Sequence, residues 1–555
     1  MFNSEINRFN EDKSDPAQWV FAAPDQITDK LGPLSDSPVE DCGLIMVEAH
    51  ESFARRPYHR QKLALVIANM RHFALEQSRL GRKVIYLIND RPVASTLAKS
   101  ARELGPLIMM EAAELELRNE LSELIESGTL CVMPHEGWLT TINDLEDSHN
   151  DQDVWRMDRF YRHVRQRTGI LMKDRKPIGG KYSHDGDNRS FWDGKPEAPE
   201  LPQFKPDEIT TAVFDLVEDK FARHPGEISK SFTPATVDDA ETLWQWCLDN
   251  CMKSFGPYED AMSTLSSGIF HTRISSLLNL HRLLPARVVS DVEKLDIPIN
   301  SKEGFIRQIL GWREFVNLIH KSTNGFRELN TAPVKVMDKP GDGGYALWAD
   351  EKWREEFSAK AVDGGATPGY FQARSPLPPA YWGKESGLKC LDSVVADVWK
   401  EAYSHHITRL MVLSNIATLL DINPRELTDW FWIAYSDAWD WVVEPNVLAM
   451  GTHSTGDIMT TKPYISGANY INKMSNFCKQ CRFNPAKNCP VTNLYWAFLN
   501  RHQEKLDETR RMFMPLNSLK KRSDAKKIED KNIFEIVRTK LLRGERLTVE
   551  DLSGS

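Results

Sequence analysis

The chain has 555 residues, 41% hydrophobic and 27% charged, a composition that excludes a disordered or fibrous protein. With 70 basic and 79 acidic residues the net charge is −9. That excludes a general electrostatic nucleic-acid binder, so any DNA contact must use a local basic patch on an acidic body. Apolar runs such as Leu63–Ile67 fall far short of the ~20 residues that span a bilayer. The N-terminus, MFNSEINRFNEDKSD, lacks the apolar core of a signal peptide. A cytoplasmic protein is expected, and its eight cysteines should be thiols or metal ligands rather than a disulfide framework.

Residues 1–18 read as an N-terminal extension. Over 19–150, short apolar runs alternate with helical patterns. Strands are expected at Trp19–Ala22, Leu44–Val47, Lys83–Leu87 and Leu130–Met133, with helices over Arg60–Leu80 and Pro92–Leu104. This alternation predicts a doubly wound parallel sheet. No GxGxxG follows the first strand and no Walker sequence occurs, so an ordinary dinucleotide or nucleoside triphosphate site is not expected. Residues 151–225 hold a basic helix and a Gly/Pro/Asp-rich linker, PIGGKYSHDGDNRSFWDGKPEAPELPQFKPD. From about 208 onward the pattern is helical with short breaks, at 208–223, 237–253, 303–321, 391–419, 424–441, 490–508 and 530–542, and 226–510 reads as the all-α domain. A Gly/Pro-rich stretch, 331–378, reads as an insertion, and 511–555 reads as a basic tail. An α/β domain followed by a larger all-α domain is therefore expected.

Cys478 and Cys481 form a CxxC, with Cys489 farther on and Pro490 directly after it. One more thiolate would complete a zinc site or an iron–sulfur cluster, and spacing leaves the metal open. The candidates for the fourth are Cys390, Cys247, Cys251, Cys42 and Cys131. The pair His405-His406 offers imidazoles for proton transfer; on a helix their side chains would point about 100° apart. Trp430, Phe431, Trp432, Tyr435, Trp439 and Trp441 form an aromatic group, and Gly311–Phe315 (GWREF) sets a cation beside an aromatic. Arg159, Arg162 and Arg165 share a helical spacing that suits phosphate tracking.

These motifs together resemble the iron–sulfur bacterial cryptochromes and photolyases, whose repairing members are prokaryotic (6-4) photolyases. The resemblance rests on PDQI (24–27), MRHFA (70–74), RTGILM (167–172), GGKYSHDGDNR (179–189), EGFIRQILGWREF (303–315), AYSHHITRLM (402–411), TKPYISGANYINKMS (461–475) and the cysteine group. It implies the photolyase/cryptochrome fold, with an antenna-type α/β domain and a helical domain holding noncovalent FAD. It implies Cys390 as the fourth ligand of a 4Fe-4S cluster with Cys478, Cys481 and Cys489. His271, Thr272 and Ser275 resemble the segment that cradles the flavin phosphates and ribityl chain. Gln308, Trp312 and Arg313 resemble the next wall, and Asp437 and Asn446 the edge near the ring.

The implied activity is light-driven reversal of (6-4) photoproducts in UV-damaged DNA by a monomer. His405 and His406 match the paired histidines, with His405 taken as the proton donor, and Tyr464 and Tyr470 match lesion-pocket tyrosines. Asp185 and Asp260 match acidic positions suited to Mg²⁺ or Mn²⁺. Arg159, Arg162, Arg165 and Arg189 are expected to meet DNA. Electron transfer is expected through Trp382 and Trp430. Phe431 replaces the tyrosine that follows, leaving Trp432 or Trp439 to substitute. Glu48–Lys62 matches in part the segment that binds 6,7-dimethyl-8-ribityllumazine. A photoreceptor that signals without repair is the alternative.

Overall fold

The computed structural model describes residues 2–149, 154–329, 333–340 and 362–553. Much of the expected insertion, at 331–332 and 341–361, lies outside the described residues. Its flanks meet as an antiparallel pair, Lys335–Val336 with Ala366–Thr367.

Five strands form one parallel sheet: β1 (Gln18–Phe21), β2 (Cys42–Ala49), β3 (Val84–Asn89), β4 (Leu107–Met110) and β5 (Leu130–Met133), in the order β3-β2-β1-β4-β5. Sequence patterning located four of them. It missed β4, because Leu-Ile-Met-Met is too short and too little β-branched to separate from a helix turn.

Side chains alternate across this sheet as the pleat requires. Val20, Leu44, Met46 and Val84 face the Arg60–Arg79 helix through Val66, Met70 and Phe73. Trp19, Phe21, Ile45, Val47 and Leu107 face Val93, Leu97, Leu117 and Leu121 on the other side. Gly43 lies where β2 passes the indole of Trp19, and a methyl there would sit 2.5 Å from the ring. The N-terminal segment is not loose: Phe2–Asn10 is a helix whose Phe2 ring packs on Tyr86 at 4.7 Å.

The helical half departs from its expected pattern at the breaks. The stretch expected as one helix over 391–419 divides at Ala402, whose φ of 49° turns the chain out of Lys389–Glu401. His405 thus stands just before the next helical turn, outside any helix interior. The stretch over 424–441 divides at Tyr435–Trp439, freeing Asp437 from helical hydrogen bonding. Three π-helical segments, Arg307–Arg313, Arg409–Ser414 and Glu444–Gly451, fall within or beside motifs singled out above. Such widened turns mark functional sites.

The expected basic tail is folded. Phe513–Lys520 and Asp524–Leu542 are helices, and Ile533, Phe534, Val537 and Leu541 enter the core. Arg501 stacks on Phe534 at 3.6 Å. Among the described residues no helix is long and apolar enough to cross a membrane.

Gly43→Ala should destabilise the α/β half by about 1–3 kcal/mol, because Trp19 is locked in the sheet core and overpacking forces it to move. A lowered thermal midpoint with unchanged far-ultraviolet dichroism is the expected result.

Candidate active site

One buried ion pair organises the helical half. Arg409 donates to both oxygens of Asp437, each at 3.0 Å, and its Nε donates to Ser404 O at 2.8 Å. Ser275 Oγ donates to the same carboxylate at 2.7 Å, and Asn279 Nδ2 to the Asp437 carbonyl at 2.9 Å. Burial alone would raise the Asp437 carboxyl, but Arg409 and Ser275 outweigh it and hold it below the usual range. Arg313 reaches the group through Asn279 Oδ1 at 3.4 Å and lies over Trp138 at 4.1 Å; burial lowers it to about 10. Sequence reasoning missed Arg409, which lies in the quoted 402–411 motif, and Asn279, four residues after Ser275. The signal was an arginine in a long apolar run.

The other expected flavin contacts divide. Thr272 is buried with its carbonyl taken by Cys247 Sγ at 3.2 Å. Trp312 is half-buried, its ring 6.3 Å from Phe315. Gln308 turns to Glu259 at 2.5 Å, beside Arg307 and Asn188. Asn446 donates to Val442 O of its own helical stretch at 2.8 Å. Glu444 is buried between His320 (2.9 Å) and Arg425 (2.7 Å), its carboxyl held at about 2: burial opposes ionisation, and the His320 hydrogen bond and the Arg425 charge overcome it.

Next to Asp437 lies a histidine cluster. The rings of His271 and His405 stack at 4.5 Å and 11°, and His406 stands edge-on to His271 at 5.4 Å. One nitrogen from each of the three lies within 4.8 Å of the other two. The near-parallel planes forbid a shared ion, because imidazole lone pairs lie in the ring plane. Burial, then His406, pushes His271 down to about 3. Burial, then His271 and His406, drives His405 well below its ordinary value. His405 Nδ1 makes no hydrogen bond, and the residue is 3% exposed.

The carboxylate partner belongs to the other histidine. His406 is 40% exposed, and its Nε2 lies 3.6 Å from Asp260 Oδ1. Tyr470 Oη donates to Asp260 at 3.2 Å, Arg189 Nε lies 3.6 Å away, and Tyr464 is close enough to feel Asp185 and Arg189. The structure therefore brings His271, His405, His406, Asp260, Tyr470 and Arg189 together, with His271 stacked on His405 although its motif resembles the flavin-phosphate segment. Asp185 and Asp260 do not make an oxygen cage for a divalent cation. Arg189 pairs with both of them, and Arg307 lies 3.5 Å from Asp185, so guanidinium groups supply the balancing charge.

The expected DNA helix, Met157–Thr168, also needs correction. Arg159 and Arg162 are exposed. Arg165 is fully buried and donates to Ile170 O, Tyr182 O and Leu171 O at 3.3, 2.8 and 2.7 Å. It lies one turn beyond Tyr161 on the inward face, so it clamps the following loop and cannot reach a phosphate.

Cys390, Cys478, Cys481 and Cys489 line one cavity with Ile471, Phe477 and Phe483. Burial, then the other three sulfurs, pushes the Cys390 thiol far up; burial raises Cys478 to about 11 and Cys489 to about 12. Such thiols ionise only against a cation. Among the described residues only the three histidines bring three ligand atoms within 4.8 Å of one another. One zinc ion would draw its sulfurs to about 3.8 Å, so the wider cysteine set fits a cluster better than a single ion.

Aromatic rings run from half-buried Trp382 toward the ion pair. Trp382 stacks on Trp399 (5.7 Å), Trp399 meets Trp430 (5.9 Å), and Trp430 meets Tyr435 (6.0 Å). Arg409 lies over Tyr435 at 4.0 Å. Trp432 sits under Arg56 at 3.7 Å, and Trp439 beside Lys62 in another cleft. Trp399 was not singled out from sequence, since a lone helical tryptophan carries no pattern.

A cleft opens at the C-terminal ends of β1 and β2 and is closed by the segment after β4, so it borders the β1–β4 junction where the strand order reverses, the usual ligand position in such sheets. Phe21, Phe53, Tyr58, Lys62, Glu114 and Trp439 are among its lining. Burial lowers the Lys62 ammonium to about 7 and pushes Glu114 far up. Glu48 lies outside the lining, held by Arg71, His50 and Tyr86.

The family model for deoxyribodipyrimidine photo-lyase-related proteins matches residues 19–232. A (6-4) photolyase of Agrobacterium fabrum is 29% identical over 522 residues, 90% of this chain and 94% of the relative. The chain is thus similar to a photolyase over nearly its whole length. An uncharacterized protein of Acanthamoeba polyphaga mimivirus is 35% identical over 95 residues, 17% of this chain and 74% of its own. A bacterial class III photolyase from Agrobacterium tumefaciens shares the fold with TM-score 0.53 and 12% identity, over 95% and 98% of the two chains. A Synechocystis cryptochrome does so with TM-score 0.50 and 14% identity, over 88% and 94%. The parallel sheet followed by helices is thus the photolyase/cryptochrome fold.

Three outcomes follow. Imidazole nitrogen shifts should show His271 neutral throughout about pH 5–8, the range where an unperturbed histidine titrates, because its value is pushed down to about 3. Arg162→Ala should reduce the salt dependence of DNA binding by about one unit and leave stability unchanged. Arg165→Ala should leave that slope intact and cost on the order of 2–3 kcal/mol in unfolding titrations.

Proposed function

We propose that this chain is a light-dependent DNA photolyase acting on (6-4) photoproducts, with FAD as its catalytic cofactor. The observation that carries the reading is the His271/His405/His406 cluster, with Asp260 and Tyr470, beside the buried Arg409–Asp437 pair. The full-length similarity to a protein named (6-4) photolyase supports it. A flavin fits these residues: Arg409 and Asp437 offer a donor–acceptor edge, and His405 leaves a buried nitrogen unpartnered.

Arg409, Asp437, Ser275, Asn279 and Arg313 would hold the flavin, with His271, Thr272, Trp312, Gln308 and Asn446 around it. Bound and reduced, the flavin supplies a photoexcited electron to the lesion. The lesion must leave the duplex stack to come within reach. His406, whose Nε2 faces Asp260, is placed to pass a proton to the departing oxygen, and His405, kept neutral by burial, lends its Nδ1 as an acceptor. Tyr464 and Tyr470 wall the pocket. Trp399 and Tyr435, in place of Trp432 or Trp439, carry electrons past Phe431. The four cysteines hold a 4Fe-4S cluster, and the cleft above β1 and β2 takes the lumazine antenna.

Illumination of oligonucleotides carrying either a (6-4) photoproduct or a cyclobutane dimer tests the reading, with repair of the first alone expected. Absence of both repairs in a flavin-loaded protein would leave the photoreceptor alternative. His406→Ala should lower the repair yield by about 10²-fold, the usual range for a lost general acid, with FAD content and damaged-DNA affinity retained. A larger loss in His405→Ala would return the donor role to His405. Serine at any of the four cysteines should remove iron, acid-labile sulfide and folded protein together, since cluster binding is folding free energy. Stoichiometric zinc without sulfide would overturn the cluster.

A further inference from the structure

Two loops leave the histidine pocket side by side, and each exposes a large apolar side chain. Asp260 begins the first, and five residues on Leu265 is 68% exposed. Arg189 begins the second, and two residues on Phe191 is 37% exposed. The loops adjoin, because a methyl built on Gly194 would lie 3.8 Å from Leu265 Cδ1.

An exposed leucine by itself needs no explanation. This one is held out on a rigid frame. Met262 N donates to Met474 O at 2.9 Å, and Thr264 and Asn476 exchange hydrogen bonds at 2.9 and 3.1 Å. On the far side Ser267 is tied to Glu401 at 2.8 Å and to Arg273 at 2.6 Å. Leu265 N is turned back onto Ser263 Oγ at 3.1 Å, so the apex cannot fold inward to bury its side chain. Cations lie on the adjoining segments: Lys479 is 5.4 Å over the Phe191 ring, and exposed Lys195 follows Gly194, with exposed Lys473 and Arg189 on the segments of Met474 and Phe191.

An apolar tip with cations on the adjoining segments, next to a pocket for an extruded base, matches one occupant. A duplex that has lost a base pair from its stack presents an apolar gap between negatively charged strands, and proteins fill such gaps with Leu or Phe wedges. We propose that Leu265, flanked by Phe191, is the wedge that enters the duplex where the lesion leaves it. The inference rests on the repair reading. Lys479 and Asn476 belong to the segment that carries Cys478 and Cys481, so the cysteine site also fixes the platform on which the wedge stands.

The test uses the full-length, flavin-loaded protein and a duplex with 2-aminopurine beside a (6-4) photoproduct, together with the same strand unpaired. Leu265→Ala should weaken binding to the lesion duplex by about tenfold or more, the worth of one buried leucine side chain. It should also lose the 2-aminopurine fluorescence rise seen with the parent. Binding to the single strand, where no gap forms, should not change, and Leu265→Met should restore duplex binding. Equal duplex affinity and fluorescence in the parent and Leu265→Ala would overturn the wedge. An equal loss on both strands would also overturn it, since the side chain would then touch the lesion itself. A parent that does not distinguish damaged from undamaged duplex would instead sink the repair reading, and the wedge with it.

Discussion

The Arg409–Asp437 pair is the constraint on which the helical half depends. Both groups are buried, and breaking such a pair by removing one partner costs about 3–5 kcal/mol. The pair ties together three segments far apart in sequence: Ser275–Asn279, the turn from Ala402 to Arg409, and the loop from Tyr435 to Trp439. The last two segments leave regular helix where they meet the pair, while Ser275–Asn279 meets it as a short helix. Ala402 takes a left-handed conformation, and the Arg409–Ser414 turn is widened. A donor and an acceptor are thereby fixed side by side at the base of a pocket, where a polar cofactor edge would find them.

Charge around this centre is arranged by burial. His271 and His405 are pressed into each other and kept neutral, and the nearby carboxylates are matched with Arg189, Arg307, Arg409 and His406. An acidic protein thus presents a cation-flanked face at one place only where its own acids are already neutralised. That is how a chain of net charge −9 can meet a polyanion, since association is steered by local potential rather than by net charge.

The two halves of the molecule share a wall. Lys62, on the helix that crosses from β2 to β3, donates to Ala438 O at 2.5 Å, next to Asp437, and lines the cleft above β1 and β2. His59 N donates to Ile433 O, and His59 stacks on Trp399. The sheet cleft, the aromatic chain and the ion pair are therefore one packed unit. A ligand in the cleft would lie a single side chain from the Arg409–Asp437 pair.

The sequence by itself determined the order of an α/β half before a helical one, because strand and helix periods are local properties of the chain. It also determined the cysteine group and the motifs of the histidine pocket, because long segments carry more information than single residues. Only the tertiary structure decided that Arg165 turns inward while Arg162 stays out. It also decided that Asp260 serves His406 and not His405, that Arg189 stands where a cation was expected, and that Tyr435 rather than Trp432 follows Trp430. Some of these rest on contacts between residues far apart in sequence, such as Asp260 with His406 and Arg189, and others on turns that break the helical pattern, as at Arg165 and Tyr435. Helical spacing alone cannot say which face a neighbour will cover, nor which of two adjacent side chains a distant carboxylate will meet.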